Sequence, residues 1–80
     1  MPKLRRLSGQ QVISIFHGFG FEIVTRRGSH VKLRRVLHGA RQTLTIPDHP
    51  ELDTGTLRAI LRQAAAYVSE AELAPHFMTE

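Results

Sequence analysis

Apolar residues recur at helical spacing near the start of the chain, and together they form one face of a helix. The members of this face are Val12, Ile13, Ile15, Phe16 and Phe19. Ser8, with Gln11 three residues later, matches a capping box, a pair of side chains that satisfies free backbone N–H groups at a helix start. Gly18 and Gly20 are typical of a helix end. The pattern predicts a first helix over about residues 9–18.

The alternation of apolar and polar residues then changes to a period of two, which is typical of half-buried strands. It predicts three strands, over Phe21–Arg26, His30–Leu37 and Arg41–Ile46. The intervening Arg27-Gly28 and His38-Gly39-Ala40 segments fit tight turns, because glycine readily adopts the positive φ that hairpin turns require.

A second apolar stripe at helical spacing begins near Thr54 or Thr56. Its members are Leu57, Ile60, Leu61, Ala64 and Val68. Ser69 and Glu72 form another capping-box pattern, which predicts a short third helix near the C-terminus.

The predicted order is α-β-β-β-α, an α+β fold in which two helices cover one face of a three-stranded antiparallel sheet. The covered face consists of Val31, Leu33, Leu44 and Ile46, and the open face of His30, Lys32, Arg34, Arg41, Thr43 and Thr45. A β-bulge would change this placement. We expect a single domain over residues 1–80, with its core over about residues 8–68 and a short helix and tail over residues 69–80.

Length and composition narrow the class of protein. A chain of 80 residues buries only about 60% of its unfolded surface, which disfavours a deep cofactor pocket. It has no cysteine, so disulfides and thiolate metal sites are excluded. No apolar run approaches the roughly 20 residues that span a bilayer, and no signal-peptide pattern follows the basic start. We expect a cytoplasmic protein without membrane association.

The charge is positive and uneven along the chain. The formal net charge is +4, from 11 Lys and Arg against 7 Asp and Glu. Between Lys3 and Arg41 the one acidic residue is Glu22, whereas six acidic residues and only two arginines follow. A basic N-terminal half favours a polyanionic partner such as nucleic acid, although solubilising charge gives the same composition. The open sheet face could equally be an ordinary solvated face, and it lacks aromatic residues for base stacking.

His30 starts a strand directly after the Arg26-Arg27-Gly28-Ser29 segment, where the scaffold would hold it within reach of a ligand. An imidazole exchanges protons near neutral pH. RNA carries its own nucleophile, the 2′-hydroxyl, so cleavage needs proton transfer and cations on the phosphate. An ordinary surface histidine is the alternative, and spacing alone favours it. His49 is either a second proton-transfer group or a loop histidine. No histidine has metal-ligand spacing, so we expect neither a metal site nor a cofactor.

Four segments carry a family resemblance: Gly20-Phe21, Arg26-Arg27-Gly28-Ser29-His30, Ile46-Pro47-Asp48-His49 and Gly55-Thr56-Leu57-Arg58-Ala59-Ile60-Leu61-Arg62-Gln63-Ala64. Together they resemble the HicA family, the toxin halves of bacterial and archaeal toxin–antitoxin pairs. The resemblance runs from about Ser8 to Ala64. The Gly-Ser-His element combined with the last segment is specific, whereas either alone would be modest evidence. The family usually turns at a glycine after the last segment, whereas this chain continues with Ala65-Ala66-Tyr67, so we expect the second helix to continue through these residues.

The resemblance implies a fold like that of double-stranded-RNA-binding domains and ribosome-independent, metal-independent cleavage of mRNA, with His30 as the catalytic residue. It also implies a HicB-type antitoxin that binds the toxin and masks its site. On this interpretation the phosphate-binding side chains are Arg26, Arg27, Lys32 and Arg34. Gly28 permits the turn, Ser29 orients the imidazole or a phosphate oxygen, and His49 is the candidate second proton-transfer group.

Two other functions stay open at this point. A non-catalytic RNA-binding module of the same fold would share the basic face without needing His30. A subunit that acts mainly through protein–protein contact with an antitoxin, in operator control, would also fit the resemblance.

Overall fold

The computed structural model describes residues 3–79 of the chain. Its elements are β1 (Lys3–Leu4), α1 (Gly9–Gly18), β2 (Glu22–Arg27), β3 (His30–Leu37), β4 (Ala40–Pro47), α2 (Thr54–Ala64), α3 (Glu70–Phe77) and β5 (Met78–Thr79). Strands β2, β3 and β4 form an antiparallel sheet in that order, and β1 pairs with β5 in a second, small sheet. The predicted α+β fold is confirmed, including the short third helix. The small sheet was not predicted, because strands of two residues leave no alternation to detect.

Side chains at the first residues of the helices fix where each helix begins. Both predicted capping boxes form, one at Ser8 and one at Ser69. The carboxylate of Asp53 caps α2, accepting the backbone N–H of Thr56 at 2.7 Å. This backbone hydrogen bond and a further one from the Thr56 side chain hold the pKa of Asp53 below its ordinary value.

The expectation that the second helix continues through residues 65–67 is wrong, since α2 ends at Ala64. The chain turns there, with the backbone N–H of Tyr67 donating to the Ala64 carbonyl at 2.9 Å. The turn directs Val68 into the core, where it is 4% exposed, and leaves Ser69 free to cap α3. Burial of Val68 and the new cap together outweigh extension of the helix.

Both hairpin turns contain two residues. The first lies at Gly28 and Ser29, one residue later than the predicted Arg27-Gly28, because Arg27 still pairs with His30 in the sheet. Gly28 has a φ of 55°, and Ser29 is not left-handed, which fits a type II′ turn between β2 and β3. His38 and Gly39 have φ angles of 51° and 78°, which fits a type I′ turn between β3 and β4. Both turn types match the right-handed twist of paired strands.

The helices cover one face of the sheet, as predicted, and the alternation along β3 and β4 is confirmed. The four apolar residues assigned to the covered face are all at most 1% exposed: Val31, Leu33, Leu44 and Ile46. The polar pairs lie on the other face, where Lys32 is opposite Thr45 and Arg34 is opposite Thr43. A register shift does occur, but it is confined to β2, between Ile23 and Thr25. Residues 3–79 contain no helix with the length and apolar character needed to cross a membrane.

Arg35 joins the sheet to both main helices near the end of the sheet away from His30. Its Nε–H donates to the Gln42 side chain at 2.6 Å, and its Nη1 and Nη2 groups donate to the carbonyls of Phe19 at 2.8 Å and Tyr67 at 3.1 Å. The guanidinium also lies 4.8 Å from the ring centroid of Phe21. Phe19 ends α1 and Tyr67 follows α2, so one side chain fixes three elements.

Candidate active site

His30 is the first residue of the central strand, and its side chain is exposed. It follows the two-residue turn of Gly28 and Ser29 and pairs with Arg27 on β2 and Pro47 on β4. Because the central strand is hydrogen-bonded on both sides, the backbone of His30 is held firmly while its imidazole faces solvent. The residue is therefore both positioned and accessible.

The turn before His30 is tied to the segment that follows β4. The backbone N–H of Asp48 donates to the Ser29 carbonyl at 2.6 Å, and the N–H of Gly9 donates to the His49 carbonyl at 2.9 Å. Gly9 lies so close to this segment that a Cβ there would meet the Pro47 carbonyl oxygen and lie 2.6 Å from Asp48 Cα. The start of α1 thus supports the segment that follows β4, and this segment in turn supports the hairpin turn before His30.

The Asp48 carboxylate connects three parts of the chain at this point. Its Oδ2 accepts from Arg26 Nη1 at 2.6 Å and from Gln10 Nε2 at 2.9 Å. The hydrogen bond from Arg26 is the main cause, and that from Gln10 the second, of the lowering of the pKa of Asp48 below its ordinary value. The Asp48 carboxylate therefore bridges α1 and β2, while its backbone N–H holds the turn before His30.

The four cations proposed from the sequence divide between the two faces of the sheet. Arg27 is opposite His30, and Lys32 and Arg34 follow it at alternate positions of β3, so these three share the open face with His30. Arg26 is opposite Val31 on the helix side, where it pairs with Asp48. The Nε atom of Arg34 is buried without a hydrogen-bond partner among residues 3–79.

His49 is exposed and lies two residues beyond Pro47, the β4 partner of His30. It directly follows Asp48, whose backbone N–H holds the turn before His30. Among the residues that the structure describes, no three histidines or carboxylates form a group that could hold a metal ion.

Sequence reasoning missed the supporting roles of Gly9, Gln10 and Asp48. Gln10 and Asp48 are 38 residues apart, and Arg26 and Asp48 are 22 apart, so no local spacing links them. The available signal was the position of Asp48 inside the Ile-Pro-Asp-His segment that carries part of the resemblance.

The arrangement defines a class: a small α+β domain with the topology of double-stranded-RNA-binding domains and a basic sheet face that bears an exposed histidine. The family model for the HicA toxin of bacterial toxin–antitoxin systems matches residues 9–66, which is most of the chain and includes this site. The chain belongs to the HicA toxin family. Membership implies a partner protein in a toxin–antitoxin pair. Searches of curated proteins and of solved structures found no match.

Proposed function

We propose that the chain is an endoribonuclease that cleaves mRNA without a metal ion, acting in the cytoplasm as the toxin of a type II toxin–antitoxin system. The observation that carries the proposal is the exposed imidazole of His30 on the same sheet face as Arg27, Lys32 and Arg34. Family membership supports the toxin role. A HicB-type antitoxin is the proposed partner that neutralises it.

The proposed reaction uses the nucleophile that the substrate brings. The ribose 2′-oxygen attacks the adjacent phosphorus and gives up its proton, while the bond from phosphorus to the 5′-oxygen breaks and that oxygen takes up a proton. The products are a 2′,3′-cyclic phosphate and a 5′-hydroxyl. His30 transfers one of these protons as general base or general acid, a role that contributes about 10²–10⁴-fold in typical enzymes. His49 is the proposed group for the other proton.

The cations of the open face are proposed to hold the phosphates. Arg27, Lys32 and Arg34 carry charge beside His30, and guanidinium groups bind phosphate oxygens through two parallel hydrogen bonds. Lys32 is the more exposed of the two open-face cations on β3, whereas Arg34 is half-buried. Arg26 lies on the other face, and its ion pair with Asp48 favours a role in supporting the turn.

Cleavage of a labelled mRNA by the His30→Asn variant tests the proposal. With excess chelator present, we expect the wild-type chain to cleave and the variant to lose at least about 100-fold in rate. His38→Asn is the matched control, because it makes the same change at an exposed histidine in the other hairpin turn and asparagine tolerates its positive φ. Circular dichroism and RNA binding should be unchanged in both variants.

Two results would contradict the proposed activity. Equal cleavage by the wild-type chain and His30→Asn would remove His30 from the reaction. Intact RNA with a wild-type chain that binds RNA would favour the non-catalytic binding module instead.

A further inference from the structure

The two edge strands of the main sheet, β2 and β4, differ in how many of their backbone N–H and C=O groups are free to hydrogen-bond to another strand. At the β4 edge, the side-chain amide of Gln63 accepts the Thr45 N–H at 3.3 Å and donates to the Thr45 carbonyl at 3.5 Å. Pro47, at the end of the same strand, has no N–H to offer. Side chains thus occupy part of this edge, as natural proteins often do to prevent unwanted pairing.

The β2 edge is uncovered. All six residues of Glu22–Arg27 are exposed, and every second residue of an edge strand directs its N–H and C=O away from the sheet. Two of these residues are apolar, with Ile23 51% exposed and Val24 38% exposed. Such a strand is a template for pairing with another extended segment.

A mainly apolar groove lies beside this edge on the helix side of the sheet. Its volume is about 490 Å³. It is lined by four apolar residues, Ile13, Phe21, Ile23 and Leu33, and by the polar Ser14, His17 and Glu22. Ile23 forms both part of the groove and part of the strand. A segment that pairs with β2 would therefore place every second side chain against this groove.

We propose that β2 is the docking strand for an extended segment of the antitoxin, which adds to the sheet as a fourth strand. The inference rests on the proposed toxin–antitoxin function. The segment carries apolar residues toward the groove and acidic residues toward the open face, where Arg27 is its nearest cation and Lys32 lies one strand further in. In this position the added strand runs beside the turn that precedes His30. Its acidic side chains pair with cations of the open face that are proposed to bind phosphate.

The charges and the register of β2 favour this occupant over a second copy of the chain or RNA. If two copies paired through β2 about a two-fold axis, both strands of the interface would carry the irregularity between Ile23 and Thr25. Such an irregularity disrupts the regular hydrogen bonds between paired strands. Two chains with a net charge of +4 each also repel one another. RNA has no apolar side chains for the groove beside this strand.

Binding of the purified HicB-type antitoxin to Ile23→Asp tests the inference. The introduced carboxylate would face an apolar or acidic segment, so we expect the dissociation constant measured by calorimetry to rise at least about tenfold. Val36→Asp is the matched control, because Val36 is 62% exposed at the far hairpin and outside β2. It should change the constant less than about twofold. In the wild-type complex, the amides of residues 22–27 should become protected from hydrogen exchange, as strand addition requires.

Four outcomes overturn the inference: no binding of the antitoxin, equal effects of Ile23→Asp and Val36→Asp, binding without protection of residues 22–27, or a dimer of the free chain that Ile23→Asp abolishes. RNA cleavage by the free wild-type chain is measured in parallel. Absence of cleavage would contradict the proposed activity while leaving the docking result interpretable, because complex formation needs no catalysis.

Discussion

The face of the sheet on which a side chain lies decides what each arginine beside His30 can contact. Arg26 and Arg27 are neighbours in sequence but point to opposite faces, since one is paired with Val31 and the other with His30. Arg26 meets a carboxylate on its side, whereas Arg27 lies on the open side. One residue of register thus separates a structural ion pair from a candidate phosphate contact.

Salt dependence of RNA binding should distinguish these two arginines. Each phosphate contact adds about 0.7–1 to the slope of log affinity against log salt concentration. We expect Arg27→Ala and Lys32→Ala to reduce the slope by that amount and Arg26→Ala to leave it unchanged. Fluorescence anisotropy of a labelled RNA across a salt series, measured in the His30→Asn background, gives the slopes.

The control for the salt series is Arg62→Ala, which removes an exposed cation on α2. A reduction of the slope by Arg26→Ala as large as that by Arg27→Ala would mean that Arg26 also binds phosphate. A reduction by Arg62→Ala of the same size would move the RNA surface to the helices.

At the contact between α1 and the segment after β4, there is no room for a side chain at the first residue of the helix. The N-terminal residue of α1, Gly9, lies against the backbone of Pro47 and Asp48, and backbone cannot move aside as a flexible side chain can. The same segment holds the turn before His30 through the Asp48 N–H. The position of a helix start therefore affects the candidate active site without contacting it.

Gly9→Ala should lower the free energy of unfolding by about 1–3 kcal/mol, the usual cost of forcing extra volume into a packed contact. Gly18→Ala is the matched control in the same helix, because a Cβ there meets nothing within 4 Å. It should be neutral or stabilise by up to about 1 kcal/mol, since alanine is the better helix former. Urea unfolding followed by circular dichroism measures both, and equal effects would refute the close contact.

The elements were predictable from the sequence to the extent that their causes are local. Period-two alternation and capping boxes located β3, β4 and the helix starts, because burial and backbone satisfaction act within a few residues. The predicted end of α2 was wrong because it depends on the packing of Val68 in the core, which is not a local property of the sequence. The contacts of Arg26 with Asp48 and of Arg35 with two helix ends join residues distant in sequence, so no pattern within a segment predicts them.

Across the whole molecule, two carboxylates contribute to how stability depends on pH. The pKa of Asp48 is lowered mainly by its hydrogen bond from Arg26, and that of Asp53 mainly by the backbone N–H of Thr56. A carboxyl whose pKa is lower in the folded state binds a proton more readily when the chain unfolds. Its stabilisation is therefore fully present above about pH 4 and is lost as the pH falls through the lowered value.

We expect the stability of the wild-type chain to fall below about pH 4 and that of Asp48→Asn to fall less. The variant should be less stable than the wild type at neutral pH, and the difference should shrink in acid. Thermal unfolding at a series of pH values checks this. Glu51→Gln, at an exposed side chain three residues away, is the control, and a difference for Asp48→Asn that persists undiminished in acid would contradict the ion-pair explanation.

The guanidinium of Arg35 fastens the far end of the sheet to the ends of α1 and α2, while Asp48 fastens the near end. Because side chains tie the sheet to the helices at both ends, we expect the domain to unfold in a single cooperative step. Lysine in place of Arg35 would keep the charge but lose the fork that reaches both carbonyls. We then expect the end of the sheet that carries Arg35 to unfold locally at a lower free energy than the turn next to His30.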